Sequence, residues 1–236
     1  VKLAKVLHDD LQPPYTGEGL GKYEGYGFGP AREDVTGLPH FKNTTFTGQF
    51  PLAQIDYDDA DDPFRVRMTA FNPFIPLNED DSSLPCALFE FEVWNRSPEA
   101  LDVSVAGILT NPHIKGAVNR KLEADGCHAI HLTTEAYAHG DPSYGNLTLA
   151  TDQADVSYQT YLYRGQWFDN LTMFWKDFTT AGALRDRLYD QPRDTFPTHL
   201  KLQDGCVLCA RQSLAPGESR TYRFTLAWHF PNYVNY

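Results

Sequence analysis

The sequence predicts an all-β protein, an antiparallel β-sandwich that carries one short amphipathic helix. Three observations predict it. From Phe50 onward apolar and polar residues alternate with period two. Clusters of Gly, Pro, Asn and Ser punctuate those runs at turn spacing. Helical spacing occurs in a single stretch, Trp167–Phe178, bounded by Gly165 and Gly182. The length of 236 residues suits one sandwich, and 42% hydrophobic with 14% aromatic residues supplies a core.

Taken in order, residues 1–40 read as an irregular segment rich in Gly, Pro and Tyr, with turns at Gly19-Leu-Gly21 and Gly25-Tyr-Gly27-Phe-Gly29-Pro30. A dinucleotide fingerprint would need a third glycine where Glu24 stands, and no strand precedes it. Residues 41–236 read as the sandwich, without an internal linker or repeat. Val66, Met68 and Ala70 alternate with Arg65, Arg67 and Thr69. Ala87, Phe89, Phe91 and Val93 alternate with Leu88, Glu90, Glu92 and Trp94, and Leu101, Val103 and Val105 with Asp102 and Ser104. The turn cluster Asn95-Arg-Ser-Pro98 between the last two runs predicts a hairpin with one buried and one wetter face. Leu147 and Leu149 mark a further strand. Val207–Ala210 leads through Pro216-Gly217 into Tyr222, Phe224, Leu226 and Trp228. In the helical stretch, Trp167, Leu171, Phe174, Trp175 and Phe178 form one stripe, and Asp169 and Asn170 fall in its first turn.

A formal net charge of −11 repels phosphate backbones, so nucleic acid is not an expected partner. No apolar run approaches the roughly 20 residues that span a bilayer, so no transmembrane segment is expected. Cys86, Cys127, Cys206 and Cys209 are too scattered for a small disulfide scaffold. Cys206-Val-Leu-Cys209 has zinc-ligand spacing but lies in an apolar strand without further ligands, so buried thiols are the expectation. Asn43, Asn95, Asn146 and Asn170 open glycosylation-type triplets, a pattern common by chance. The compartment stays open, with the cytoplasm favoured. The chain starts at Val1 and closes soon after Leu226-Ala-Trp-His-Phe-Pro231, which suggests one domain of something larger.

Candidate chemistry is sparse. Asp56-Tyr-Asp58-Asp59-Ala-Asp61-Asp62 is dense enough in oxygen for calcium, but an EF-hand counted from Asp56 would need Gly and Glu where Asp61 and Arg67 stand. A solvated hairpin tip is the expectation there, and Glu79-Asp80-Asp81-Ser82 reads as a loop. Glu90 and Glu92 share a strand face, but an outward one, and sequence selects no glycosidase pair among 31 acids. No nucleophile elbow is present. His128 and His131 lie on opposite faces of a strand, and His229 reads as structural. Thus no catalytic residue, no metal ligand and no cofactor is assigned. The remaining feature is aromatic: Tyr158, Tyr161, Tyr163, Trp167, Phe168 and Trp175 crowd one segment. Rings of this kind stack on sugars or fill a core or an interdomain contact.

Several motifs carry a resemblance. Phe50-Pro-Leu-Ala with Asp56-Tyr, Phe71-Asn-Pro-Phe-Ile-Pro-Leu-Asn78, Asp81-Ser-Ser-Leu-Pro85, Trp167-Phe-Asp-Asn-Leu-Thr172 and Leu226-Ala-Trp-His-Phe-Pro231 occur in one order over roughly residues 40 to 231. Together they resemble the N-terminal domain of glycoside hydrolase family 116, the family of bacterial β-glucosidases and non-lysosomal glucosylceramidase (bile-acid β-glucosidase). The resemblance implies a β-sandwich packed against a C-terminal (α/α)6 catalytic domain. In that family the Glu nucleophile and Asp acid/base both belong to the toroid, so no position here inherits either role. It therefore implies an accessory domain that supports the toroid and meets glycoside only through it, with the aromatic segment as candidate substrate or interdomain contact. A free-standing carbohydrate-binding module is the alternative.

Overall fold

A computed structural model describes residues 1–9, 35, 37–124, 126–165, 169–192 and 203–234. The strands are β1 (Val6–Asp9), β2 (His40–Phe41), β3 (Thr44–Gln49), β4 (Leu52–Tyr57), β5 (Phe64–Phe71), β6 (Cys86–Asn95), β7 (Leu101–Thr110), β8 (Ala117–Ala124), β9 (Cys127–Thr134), β10 (Asn146–Thr151), β11 (Val156–Gln159), β12 (Gly205–Leu214) and β13 (Ser219–His229). Helices α1 (Glu79–Ser82) and α2 (Asn170–Ala181) lie among the described residues.

The expected sandwich is present. An eight-stranded antiparallel sheet in the order β3-β4-β5-β6-β13-β10-β9-β8 faces a three-stranded sheet in the order β11-β12-β7. The period-two alternation assigns the faces. Val66, Val93, Tyr222, Phe224, Leu147 and Ile130 point inward from the large sheet and meet Val105, Leu109, Cys206 and Leu208 from the small one. The opposite face of the small sheet is also covered. Val207, Ala106 and Ile108 pack beneath Leu171 and Phe174 of α2. Burial on both faces explains why Cys206–Ala210 reads as a continuous apolar run rather than an alternating one. At the N-terminus, β1 is a short strand running parallel to β2.

One sequence expectation fails. The runs on either side of Asn95-Arg-Ser-Pro98 do not pair as a hairpin. β6 pairs β13 and β5 in the large sheet, whereas β7 pairs β12 in the small one. The connection crosses between sheets, and so does the Pro216-Gly217 turn from β12 to β13. Asn95 ties these two corners together. Its buried side chain donates to the Glu99, Leu214 and Ala215 carbonyls, and its backbone N–H donates to the Glu218 carbonyl. Facing apolar runs joined by a short turn can close across a core as well as within a sheet, and alternation alone does not separate the two. Asn95 opens one of the glycosylation-type triplets, yet it is buried and serves this corner.

The helix lies where the spacing placed it, with Leu171 and Phe174 as its buried residues. Trp167 lies outside the described residues. Asp169 occupies the N-cap position without a side-chain cap bond, and Asn170 Oδ1 accepts from the Leu171 N–H instead. Gly182 closes the helix at φ 67°, in the left-handed conformation that glycine takes without strain. Glu79–Ser82 is a single helical turn rather than a loop, because Asn78 Oδ1 accepts from the Asp81 N–H.

Candidate functional site

The acidic segment around β4 and β5 is not a solvated tip. Asp59 is 6% exposed. Its carboxylate accepts from Lys5 Nζ at 2.5 Å and from the backbone N–H groups of Lys42 and Asn43 at 2.9 and 2.8 Å. Asp62 accepts from the same Lys5 at 2.6 Å, Asp58 pairs with Arg96, and Asp56 with Arg67. Burial alone would push the Asp59 carboxyl up; Lys5 and the two N–H groups outweigh it and hold the carboxyl below the ordinary range. For Lys5, burial works downward and the two carboxylates raise the ammonium above its ordinary value. The cluster fastens the chain ahead of β1 to the sheet.

Glu90 lies on the outer face, bonded to Arg223 at 2.9 Å. A general acid needs a carboxyl pushed upward. Among the described residues the carboxyls that depart from the ordinary range, Asp59, Asp102 and Asp186, all fall below it. Arg211 lowers Asp102, while at Asp186 burial pushes upward but is outweighed by Lys121 and Thr160. A cleft of about 1340 Å³ between residues 1–8, the inner faces of β5 to β7 and α2 is mostly apolar, and Asp102 is the sole carboxylate among its described lining residues. Two facing carboxyls are what glycoside hydrolysis requires. No group of three or more potential metal ligands converges among the described residues. Cys206 and Cys209 are buried thiols, pushed by burial to about 12 and about 11 respectively. His131 Nδ1 contacts Thr148 Oγ1 at 2.9 Å, and His229 lies edge-on to His139.

The aromatic segment is built mainly into the interior. Tyr161 is buried, and its hydroxyl accepts from the Asn119 N–H at 2.9 Å. Asn119 in turn donates to the Thr160 carbonyl and accepts from Asn111, which closes a buried polar network between β8, the residues that follow β11 and the residue that follows β7. Tyr158 is buried beneath Lys121, whose ammonium stands 4.6 Å from the ring centre, and burial pushes its hydroxyl to about 12. Arg164 lies between the Tyr161 and Tyr189 rings and makes a two-pronged pair with Asp204. Trp175 packs against Phe178 in the cluster under α2. Tyr163 is 38% exposed. Trp167 and Phe168 lie outside the described residues.

Exposed apolar side chains gather elsewhere. The ends of β3, β5 and β13 and the starts of β4 and β6 share one rim of the large sheet, because Gln49 pairs Leu52, Leu52 pairs Phe71, Phe71 pairs Leu88 and Ala227 pairs Cys86. Phe50, Leu52, Phe74, Ile75, Leu77 and Leu84 are all exposed along it. Phe50 and Phe74 meet edge to face at 5.0 Å. In the sequence, residues 72–85 supply two of the motifs that carry the resemblance and, at Glu79–Ser82, a loop. Their physical signal is that Phe74, Ile75 and Leu77 sit among Pro73 and Pro76 with no alternation, which marks apolar side chains in a loop rather than in a strand.

The family model described as beta-glucosidase 2, glycosyl-hydrolase family 116 N-term, matches residues 3–236. The chain belongs to this family of N-terminal domains. The match begins within the segment ahead of β1 and runs through both sheets and α2. Among solved structures, a polysaccharide lyase is similar at 12% identity and a TM-score of 0.39 over 76% of this chain. A putative kojibiose phosphorylase from human microbiome is similar at 9% identity and a TM-score of 0.41 over 82% of this chain. The chain spans 22% and 21% of the length of those two proteins. No helix among the described residues is long and apolar enough to cross a membrane.

Proposed function

We propose that this chain is the non-catalytic β-sandwich domain of a family-116 retaining β-glucosidase or glucosylceramidase, and that it packs against and supports a C-terminal (α/α)6 catalytic domain of the same parent protein. The family match along residues 3–236 carries the reading. The carboxylates support it: Asp59, Asp56 and Asp204 are held in ion pairs, and the mostly apolar cleft beside α2 shows a single acid among its described lining residues. Glycoside would then be handled by the partner domain alone.

The test is turnover of a p-nitrophenyl β-glucoside. The isolated chain is expected to give no rate above buffer. A rate that disappears when one carboxylate of this chain is replaced would overturn the reading. Saturable binding of a soluble β-glucoside by the isolated chain, lost on replacing Tyr163, would turn it toward a carbohydrate-binding module.

A further inference from the structure

We propose that β3, an edge strand of the large sheet, pairs antiparallel with β3 of a second copy of this chain, so that two large sheets join into one across a twofold axis. The proposal stands apart from the supporting role above, and its failure leaves that reading untouched.

Three observations carry it. The first is a contrast among sheet edges. β3 and β8 end the large sheet, and β11 and β7 end the small one. β8 carries Arg120, Lys121 and Glu123. β11 has four residues, and the segment after α2 lies against it, where the Leu184 N–H donates to Ser157 Oγ and the Thr160 N–H to Asp186. β7 carries Asp102, and its Ser104 donates to the Gly182 carbonyl. Charge, shortness and cover are what keep an edge from pairing. β3, Thr-Thr-Phe-Thr-Gly-Gln, has no charge and no proline, and five of its six residues are exposed. The second observation is the direction of its backbone. The Asp58 N–H donates to the Asn43 carbonyl, in line with the β3–β4 register, so Thr45, Thr47 and Gln49 turn their backbone groups toward β4. Thr44, Phe46 and Gly48 turn theirs outward. An extended strand is the partner that matches such a row of donors and acceptors. Gly48 keeps the row open: the Phe46 ring lies back over it, and a Cβ there would stand 3.2 Å from Phe46 Cε1. The third observation is self-complementarity. With Phe46 on the twofold axis, its N–H and carbonyl meet those of Phe46 of the partner subunit, and Thr44 of each copy meets Gly48 of the other. Every outward N–H and carbonyl of β3 then has a partner, as a contact between identical segments requires. On the opposite face Thr45 stands across from Thr47, a favourable cross-strand pair, and no like charges meet along the strand.

Sedimentation velocity and residue-resolved amide exchange of this chain over a concentration series test this, in about 0.15 M salt so that repulsion between two copies of net charge −11 is screened. One strand pair is a small interface, so the dimer should build up only toward high concentration, up to about 1 mM. Over that range the amides of Thr44, Phe46 and Gly48 should slow by about threefold or more, whereas those of Thr45, Thr47 and Gln49, already bonded to β4, should be slow throughout. Phe46→Lys sets two ammonium groups at the axis and should leave the chain monomeric. Its melting temperature in dilute solution should stay within about 2 °C of wild type, because Phe46 is exposed. The double variant Thr45→Val/Thr47→Val keeps the outward backbone row and should still dimerise. A monomer at every concentration would overturn the proposal. So would a dimer that survives Phe46→Lys, or protection that builds along β8 instead. Protection of Thr44, Phe46 and Gly48 that is already complete at high dilution would show pairing within one chain and overturn the second copy.

Discussion

Two regions of this molecule are rich in large apolar side chains, and they use them in opposite ways. Around β11 and α2, every described ring except Tyr163 is covered: Tyr161 by Asn119 and Arg164, Tyr158 by Lys121, Phe174 and Trp175 by the small sheet and Phe178. At the rim of β3 to β6, Phe50 and Phe74 meet edge to face and stand 79% and 51% exposed, and Leu77 stands fully in solvent. The first region is held by packing and by ion pairs, yet it keeps buried polar atoms without a hydrogen-bond partner, among them Tyr158 OH, Gln159 Oε1 and Asp169 Oδ1. The second is braced by hydrogen bonds but left apolar on its outside. A dense run of aromatics in sequence therefore marked the interior, whereas the exposed surface came from a proline-bounded loop. Substitutions in the first region should cost this chain stability, and those at the exposed side chains of the second should cost it little.

The largest effect is expected at Phe174. Its ring is buried under α2 and stacks on Phe178 at 5.6 Å. Phe174→Ala should cost about 3–5 kcal/mol, a fall in melting temperature of about 6–20 °C for a chain of this size. Thermal unfolding of the isolated chain measures it. A loss below about 0.5 kcal/mol would mean that the α2 region is not the interior half of the comparison.

Lys5 comes next. It is the shared partner of two nearly buried carboxylates, so Lys5→Met leaves Asp59 and Asp62 with like charge and no cation. Breaking such a pair costs about 3 kcal/mol or somewhat more, and the backbone N–H groups on Asp59 keep it at the lower end. The pH dependence follows from the two shifts. Asp59 is lowered, so its contribution is present above the unfolded carboxyl value of about 3.9 and is lost as pH falls through the folded one. Lys5 is raised, so its contribution is full below about 10.4 and is lost as pH rises through the folded value. Removing Lys5 removes the main group that lowers Asp59. Acid unfolding of the variant should begin at a higher pH than in the wild type, and coincident acid transitions would count against the pair.

How much of this was legible follows from the period of the pattern. Alternation placed Phe89, Phe91 and Val93 inward and Glu90 and Glu92 outward, and the structure agrees, with Arg223 and Arg67 opposite the two acids. The apolar spacing of Leu171 and Phe174 found α2. The hairpin at Asn95 was not legible, because the hydrogen bonds that turn β7 into the other sheet come from Leu214, Ala215 and Glu218, over a hundred residues away. Asp59 was misjudged for the same reason: its partners Lys5, Lys42 and Asn43 are not its neighbours in sequence. Local pattern reports which way a side chain points; distant partners decide whether a charge is wet and which sheet a strand joins.

The smallest effect, and the most direct contrast with Phe174, is expected at Leu77. A leucine at φ 66° sits where its Cβ crowds the backbone, at a cost of about 1–2 kcal/mol. Glycine removes that strain but frees the unfolded chain, which takes back about 0.4–1 kcal/mol. Because Leu77 is fully exposed, no packing is lost. Leu77→Gly should therefore stabilise the isolated chain, by a few tenths to about 1 kcal/mol on those figures, resolvable by urea titration with Leu84→Ala as a control expected within about 0.5 kcal/mol of wild type. Destabilisation of the isolated chain by more than about 1 kcal/mol, beyond the usual range for exposed sites, would instead show that Leu77 packs within this domain.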